Sequence, residues 1–134
     1  MLRIYHNRWE KVLVEKAEAY LHEAFGLATR LERDPADTLP HYIRDLYSVW
    51  RGDLFGREAV FAAPKPDAGA AMTEMEKHAR VIRDRAHNRV VMLLFERLTT
   101  AQRRALLARR TAFLVPMAQL YVPEALLDLR ERTP

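Results

Sequence analysis

Apolar side chains recur at helical spacing through Trp9, Val12, Leu13, Ala17, Tyr20, Leu21, Ala24 and Phe25, which predicts an amphipathic helix over residues 8–25. Asn7 precedes it as an N-cap, with Glu10 three residues on in a variant of the capping box. Gly26 is a natural stop. The pattern then changes period: Leu27, Thr29 and Leu31 alternate with Ala28, Arg30 and Glu32, which predicts a half-buried strand over 27–33. "DPADTLP" (34–40), with two prolines and two aspartates, reads as a loop.

Tyr42, Ile43 and Leu46 suggest a single helical turn or a broken strand. "YSVWRGDL" and "REAVFAA" follow as two strands joined by a tight turn at Phe55-Gly56. Met72, Met75, Ala79 and Ile82 predict a second helix over about 71–87. "RVVMLLF" (89–95) is apolar on both faces, with Val91, Leu93 and Phe95 on one and Val90, Met92 and Leu94 on the other, as in a central strand covered on both sides. Thr99 or Thr100 caps a third helix over 101–110, and "TAFLVP" and "QLYVP" are two short final strands. The order α-β-β-β-α-β-α-β-β predicts one α/β (α+β) domain over 1–134, a mixed sheet flanked by helices.

Composition narrows the class. A chain of 134 residues that is 49% apolar can bury a core of its own. The absence of cysteine removes disulfides and thiolate metal sites and fits a reducing, cytoplasmic setting. No apolar run approaches the ~18 residues of a membrane span, and "MLRIYHNRWEK" has no apolar signal core, so neither a membrane partner nor secretion is expected. Charge is uneven: residues 1–67 carry 10 basic and 11 acidic side chains, residues 68–134 carry 12 and 7. The basic half offers Arg80, Arg83, Arg85, Arg103, Arg104, Arg109 and Arg110 as contacts for a polyanion. The competing reading is that these arginines are solvated helix faces, since no run of five like charges occurs.

Catalytic patterns are thin. Four glycines build no phosphate loop, and Ser48 is the single serine. The nearest thing to a metal pair is Glu74 with His78, whose spacing reads first as a surface ion pair. The element order is compatible with a restriction-endonuclease-like core. Such nucleases hold Mg²⁺ with an Asp on the second strand and an Asp/Glu-x-Lys on the third. Asp45 or Asp53 would supply the first carboxylate and Lys65 the lysine, but Ala63 stands where the second carboxylate belongs and Glu58 is too far along. A nuclease is therefore kept only as a degenerate alternative, and no catalytic residue, metal or cofactor is expected. The aromatics around the hairpin (Tyr42, Tyr47, Trp50, Phe55, Phe61) read as packing before base stacking.

"FLVPMAQLYVPEALLDLRER" resembles a segment of one group of bacterial MarR-type transcriptional regulators, approximately Pro-Phe-Ile-Val-Pro-Gly-x-Gln-Leu-Tyr-Leu-Pro followed by Asp-Leu-Arg-Glu. Phe113, Val115, Pro116, Gln119, Leu120, Tyr121, Pro123, Leu127 or its neighbour, Asp128, Leu129, Arg130 and Glu131 match, whereas Met117 stands where the family prefers Gly and Leu126 near another usual Gly. "LPHYIRDLY", "LFG" and "ERLTTAQRRALLARRTAFLVP" are similar to upstream family segments, so the resemblance covers about 39–131. It implies a non-catalytic regulatory or interaction domain of a DNA-binding transcriptional regulator. The winged helix would follow the Asp-Leu-Arg-Glu joint and is missing here, whether by truncation or because the chain is a stand-alone relative. Partners would be DNA, directly or through that missing winged helix, or a protein or second copy. Phe113, Pro116, Gln119, Tyr121, Pro123, Asp128 and Arg130 would be a structural and coupling motif. The alternative is a domain that binds nucleic acid itself through the basic half.

Overall fold

The computed structural model describes residues 5–67, 69–87 and 89–123, together with the backbone of 127–130. The chain runs α1 (Arg8–Phe25), β1 (Glu32–Arg33), α2 (His41–Leu46), β2 (Tyr47–Leu54), β3 (Arg57–Pro64), α3 (Met72–Arg85), β4 (Val90–Leu94), α4 (Thr100–Ala108), β5 (Phe113–Val115), β6 (Gln119–Val122) and β7 (Leu127–Arg130). The seven strands lie side by side in chain order. β1, β2 and β3 are antiparallel neighbours, as are β5, β6 and β7. β3, β4 and β5 are parallel. Parallel neighbours cannot be joined by a tight turn, so each of these two connections carries a helix, α3 and then α4. The result is the expected α+β domain with a mixed sheet.

Two apolar layers cover the sheet. On one face, Leu13, Val14, Ala17, Tyr20 and Leu21 of α1 pack on Trp50, Phe61, Met92, Leu114 and Leu120. On the other, Ile43, Ile82 and Leu106 of α2, α3 and α4 pack on Val49, Val60, Leu93, Phe113 and Val115. β4 divides as its sequence predicts, with Val90, Met92 and Leu94 in the first layer and Val91, Leu93 and Phe95 in the second.

The punctuation residues act where expected. The Asn7 side chain accepts from the Glu10 N–H, and Gly26 (φ 69°) closes α1 with its N–H on the His22 carbonyl. Thr99 and Gln102 form a reciprocal capping box on α4. Phe55 (φ 51°) and Gly56 (φ 83°) are both left-handed, which suits a two-residue hairpin turn following the right-handed strand twist.

Two expectations are corrected and one alternative is decided. The strand predicted over 27–33 is reduced to Glu32–Arg33. Upstream of it the backbone is held by side chains: Glu18 accepts the Leu31 N–H at 2.7 Å, and Thr29 donates its hydroxyl to the Asp53 carbonyl at 2.6 Å. This segment crosses so close to Gly52 that a Cβ there would lie 2.9 Å from Leu31 Cδ2 and 3.0 Å from Thr29 Cγ2. Of the two readings of the Tyr42–Leu46 stretch, the structure bears out the helical one, α2. The Leu-Asp-Leu-Arg exit is a seventh strand paired with β6, Tyr121 opposite Asp128 and Gln119 opposite Arg130. The coupling role expected of the Asp128 and Arg130 side chains lies outside the described residues.

Candidate functional site

Four of the seven arginines singled out from the sequence meet in one place. Arg80 and Arg83 on α3, and Arg109 and Arg110 just after α4, line a shallow cleft of about 40 Å³ whose floor is Val91, Thr111 and Ala112. Glu76 is the one acidic residue lining it. Its carboxylate lies 3.1 Å from Arg109 and 3.9 Å from Arg80, one helical turn along α3. Glu76 is nearly buried, whereas Arg80 and Arg109 are more than half exposed, at 63% and 56% of the side chain. The acid therefore sits beneath the arginines and holds two of them upright. Exposed ion pairs of this kind add at most about 1 kcal/mol to stability.

Arg110 occupies the cleft rim in a backbone conformation that favours glycine, at φ 55°. The α4 exit explains it. The Thr111 N–H bonds the Leu106 carbonyl at 2.9 Å and the Arg110 N–H bonds the Leu107 carbonyl at 3.1 Å. These two bonds make a Schellman closure with Arg110 at the position usually given to glycine. The cleft lies at the amino ends of β4 and β5. Small-molecule crevices of open α/β sheets lie at carboxyl ends, the opposite end from this cleft.

The remaining arginines lie elsewhere. Arg85 donates to the Thr38 carbonyl at 2.7 Å. Arg103 and Arg104 are on α4 but do not line the cleft. The nuclease pattern is not assembled either. Asp45 is exposed on α2. Asp53 is at the hairpin turn, where its carboxylate accepts the Gly56 N–H at 3.2 Å. Lys65 follows the far end of β3, about 20 Å away at ~3.3 Å per strand residue. The residue opposite Ala63 is Ser48, which already accepts from Trp50 Nε1 at 2.8 Å. Among the described residues, no three His, Asp or Glu side chains are grouped as a metal site.

The terminal motif is built into the core. Phe113 stacks near Tyr121 with ring centroids 5.7 Å apart, and Gln119 is buried opposite Val115. Pro116 and Pro123 follow the last residues of β5 and β6, where no ladder N–H is needed. Met117, in the turn, has φ 66°.

His78 departs from its sequence reading as half of an ion pair. Its Nδ1 lies 2.8 Å from the Tyr47 hydroxyl, and its ring packs against Tyr47 and Tyr42. Burial lowers the imidazole pKa below its usual value, outweighing the opposing pull of Glu74. Burial first, and Glu74 second, push the Tyr47 hydroxyl well above the usual phenol range. Both groups are thus held neutral near pH 7. Sequence reasoning also missed Glu76, although an acid four residues before Arg80 signals such a contact.

Comparison with protein-family models, curated proteins and solved structures finds no match to this chain. No helix among the described residues is long and apolar enough to cross a membrane.

Proposed function

We propose that this domain is a non-catalytic regulatory module that contacts nucleic acid through the phosphate backbone, using the α3–α4 arginine cleft. The observation that carries the reading is the convergence of Arg80, Arg83, Arg109 and Arg110 around a single carboxylate, Glu76. Exposed guanidinium groups suit phosphate because they donate two parallel hydrogen bonds. The resemblance of the terminal segment to MarR-type regulators supplies the setting, transcriptional control. In that setting the cleft adds sequence-independent affinity beside a DNA reader. Ala63 stands where a restriction-endonuclease-like set needs its second carboxylate, which favours holding DNA over cutting it.

Fluorescence anisotropy with a labelled duplex at several salt concentrations tests this. Four phosphate contacts give a slope of log affinity against log salt of about −3.6. Arg80→Ala and Arg109→Ala should each flatten the slope by about 0.9. Glu76→Gln, which removes the one opposing charge, should tighten binding. A slope near zero, or slopes unchanged in the arginine variants, would overturn the proposal.

A further inference from the structure

A second polar cavity, of about 190 Å³, opens where α1 begins, α2 ends and β3 runs out; His6, Glu10, Arg33, Asp34, Arg44 and Lys65 line it. Its position differs from that of the arginine cleft. β3 is parallel to β4, and Lys65 follows its last residue, so on its Lys65 side this cavity reaches the carboxyl end of β3. Open α/β sheets place their ligands at that end.

The charges lining the cavity do not cancel. Glu10 is buried and taken up by Arg33, and it also accepts the His6 N–H at 3.0 Å. Asp34 is taken up by Arg89 at 3.1 Å and by the Ala36 N–H at 2.8 Å. Both acids are thus matched. Lys65 Nζ makes a hydrogen bond to the Arg44 carbonyl at 3.2 Å and meets no carboxylate among the described residues. Arg44 Nε and Arg33 Nε are each buried, with no hydrogen-bond partner among the described residues. Three cationic side chains, Arg33, Arg44 and Lys65, therefore line one small space whose two carboxylates are already paired, which leaves it with surplus positive charge.

We propose that this cavity binds the phosphate group of a small phosphomonoester, with Arg44 and Lys65 as the principal contacts. The arginine supplies planar, directional donors and the lysine a mobile point charge, a pairing suited to a compact tetrahedral anion. The flanking Glu10 and Asp34 disfavour a long polyanion passing through, which keeps this site distinct in chemistry from the α3–α4 cleft. The proposal is independent of that cleft.

Inorganic phosphate and glycerol phosphate are the probes, titrated at constant ionic strength with sodium chloride as the balance, and binding is read as the rise in melting temperature. Both should give a saturable rise. Arg44→Gln and Lys65→Gln should each weaken binding at least tenfold, with Arg44→Lys in between. Arg110→Gly should leave phosphate binding intact, while Arg44→Gln should leave the DNA salt slope intact, so either site can fail alone. Lys65 is only partly buried, so its variant keeps the test valid if Arg44→Gln misfolds. A rise that does not saturate, or that persists undiminished in Lys65→Gln, overturns the proposal. So does acetate binding as tightly as phosphate.

Discussion

Arg110 shows most plainly how one residue can serve stability and charge in opposite directions. A side chain at φ 55° strains the backbone by about 1–2 kcal/mol. Glycine there relieves this but has more freedom to lose on folding, about 0.5–1 kcal/mol. Arg110→Gly should therefore stabilise the domain by about 0.5–1 kcal/mol, raising the melting temperature by a few degrees. The same substitution should flatten the DNA salt slope by about 0.9. A variant that is both more stable and a weaker binder separates the two roles; one that melts lower contradicts the Schellman account of the α4 exit. Nothing in "LLARRTA" announces this in sequence, because arginine at a helix end reads equally well as a favourable charge near the dipole. Glu10 was legible only in part. Its spacing from Asn7 marked the helix start correctly, but its carboxylate turns to Arg33 and the His6 N–H.

At the scale of elements, periodicity served the long helices and the central strand well and failed where one side chain decides the outcome. The 8–25 helix and β4 are fixed by many apolar positions, so no single contact can override them. Segment 27–33 alternates like a strand, yet Glu18 and Thr29 claim its backbone partners and leave two residues to pair with β2. His78 joins α3 to β2 in the same side-chain-dependent way. Its folded pKa lies below the ordinary 6.5, so the folded state prefers the neutral ring more than the unfolded chain does. That contribution is fully present above about pH 6.5 and is lost as pH falls through the lower, folded value. Urea melts at pH 7.5 and pH 5.5 should show stability falling at the acid end. His78→Gln keeps a side-chain amide that can hydrogen-bond the Tyr47 hydroxyl in either direction but does not titrate, so its fall should be smaller. Equal falls in both proteins would mean that the His78–Tyr47 contact does not couple folding to pH.

For the whole molecule, chain order equals sheet order, and this makes the C-terminal third testable as a unit. Each strand bonds only to its sequence neighbours, so strands can be removed from the end one pairing at a time. Deleting everything after Thr111 removes β5, β6 and β7 and bares one edge of β4. It also takes Phe113, Leu114, Val115, Leu120 and Val122 out of both apolar layers. At about 1.5–3 kcal/mol for each large buried side chain, the loss is on the order of 10 kcal/mol. A domain of this size holds only about 5–15 kcal/mol in total. The chain ending at Thr111 should therefore be unfolded, with no cooperative thermal transition by circular dichroism. Ending at Leu126 is different: it removes β7 alone and leaves both layers' β5 and β6 residues in place. That chain should melt cooperatively at a lower temperature. β6 would then be a free edge, inviting association that grows with protein concentration in sedimentation experiments. The sequence motif hinted at the first result, because its apolar positions alternate. The second depends on Leu-Asp-Leu-Arg pairing as a strand, which a four-residue segment of mixed polarity does not announce. A Thr111 chain that melts like the full protein would show that the terminal strands contribute nothing to the core, and would overturn the cooperative sheet described here.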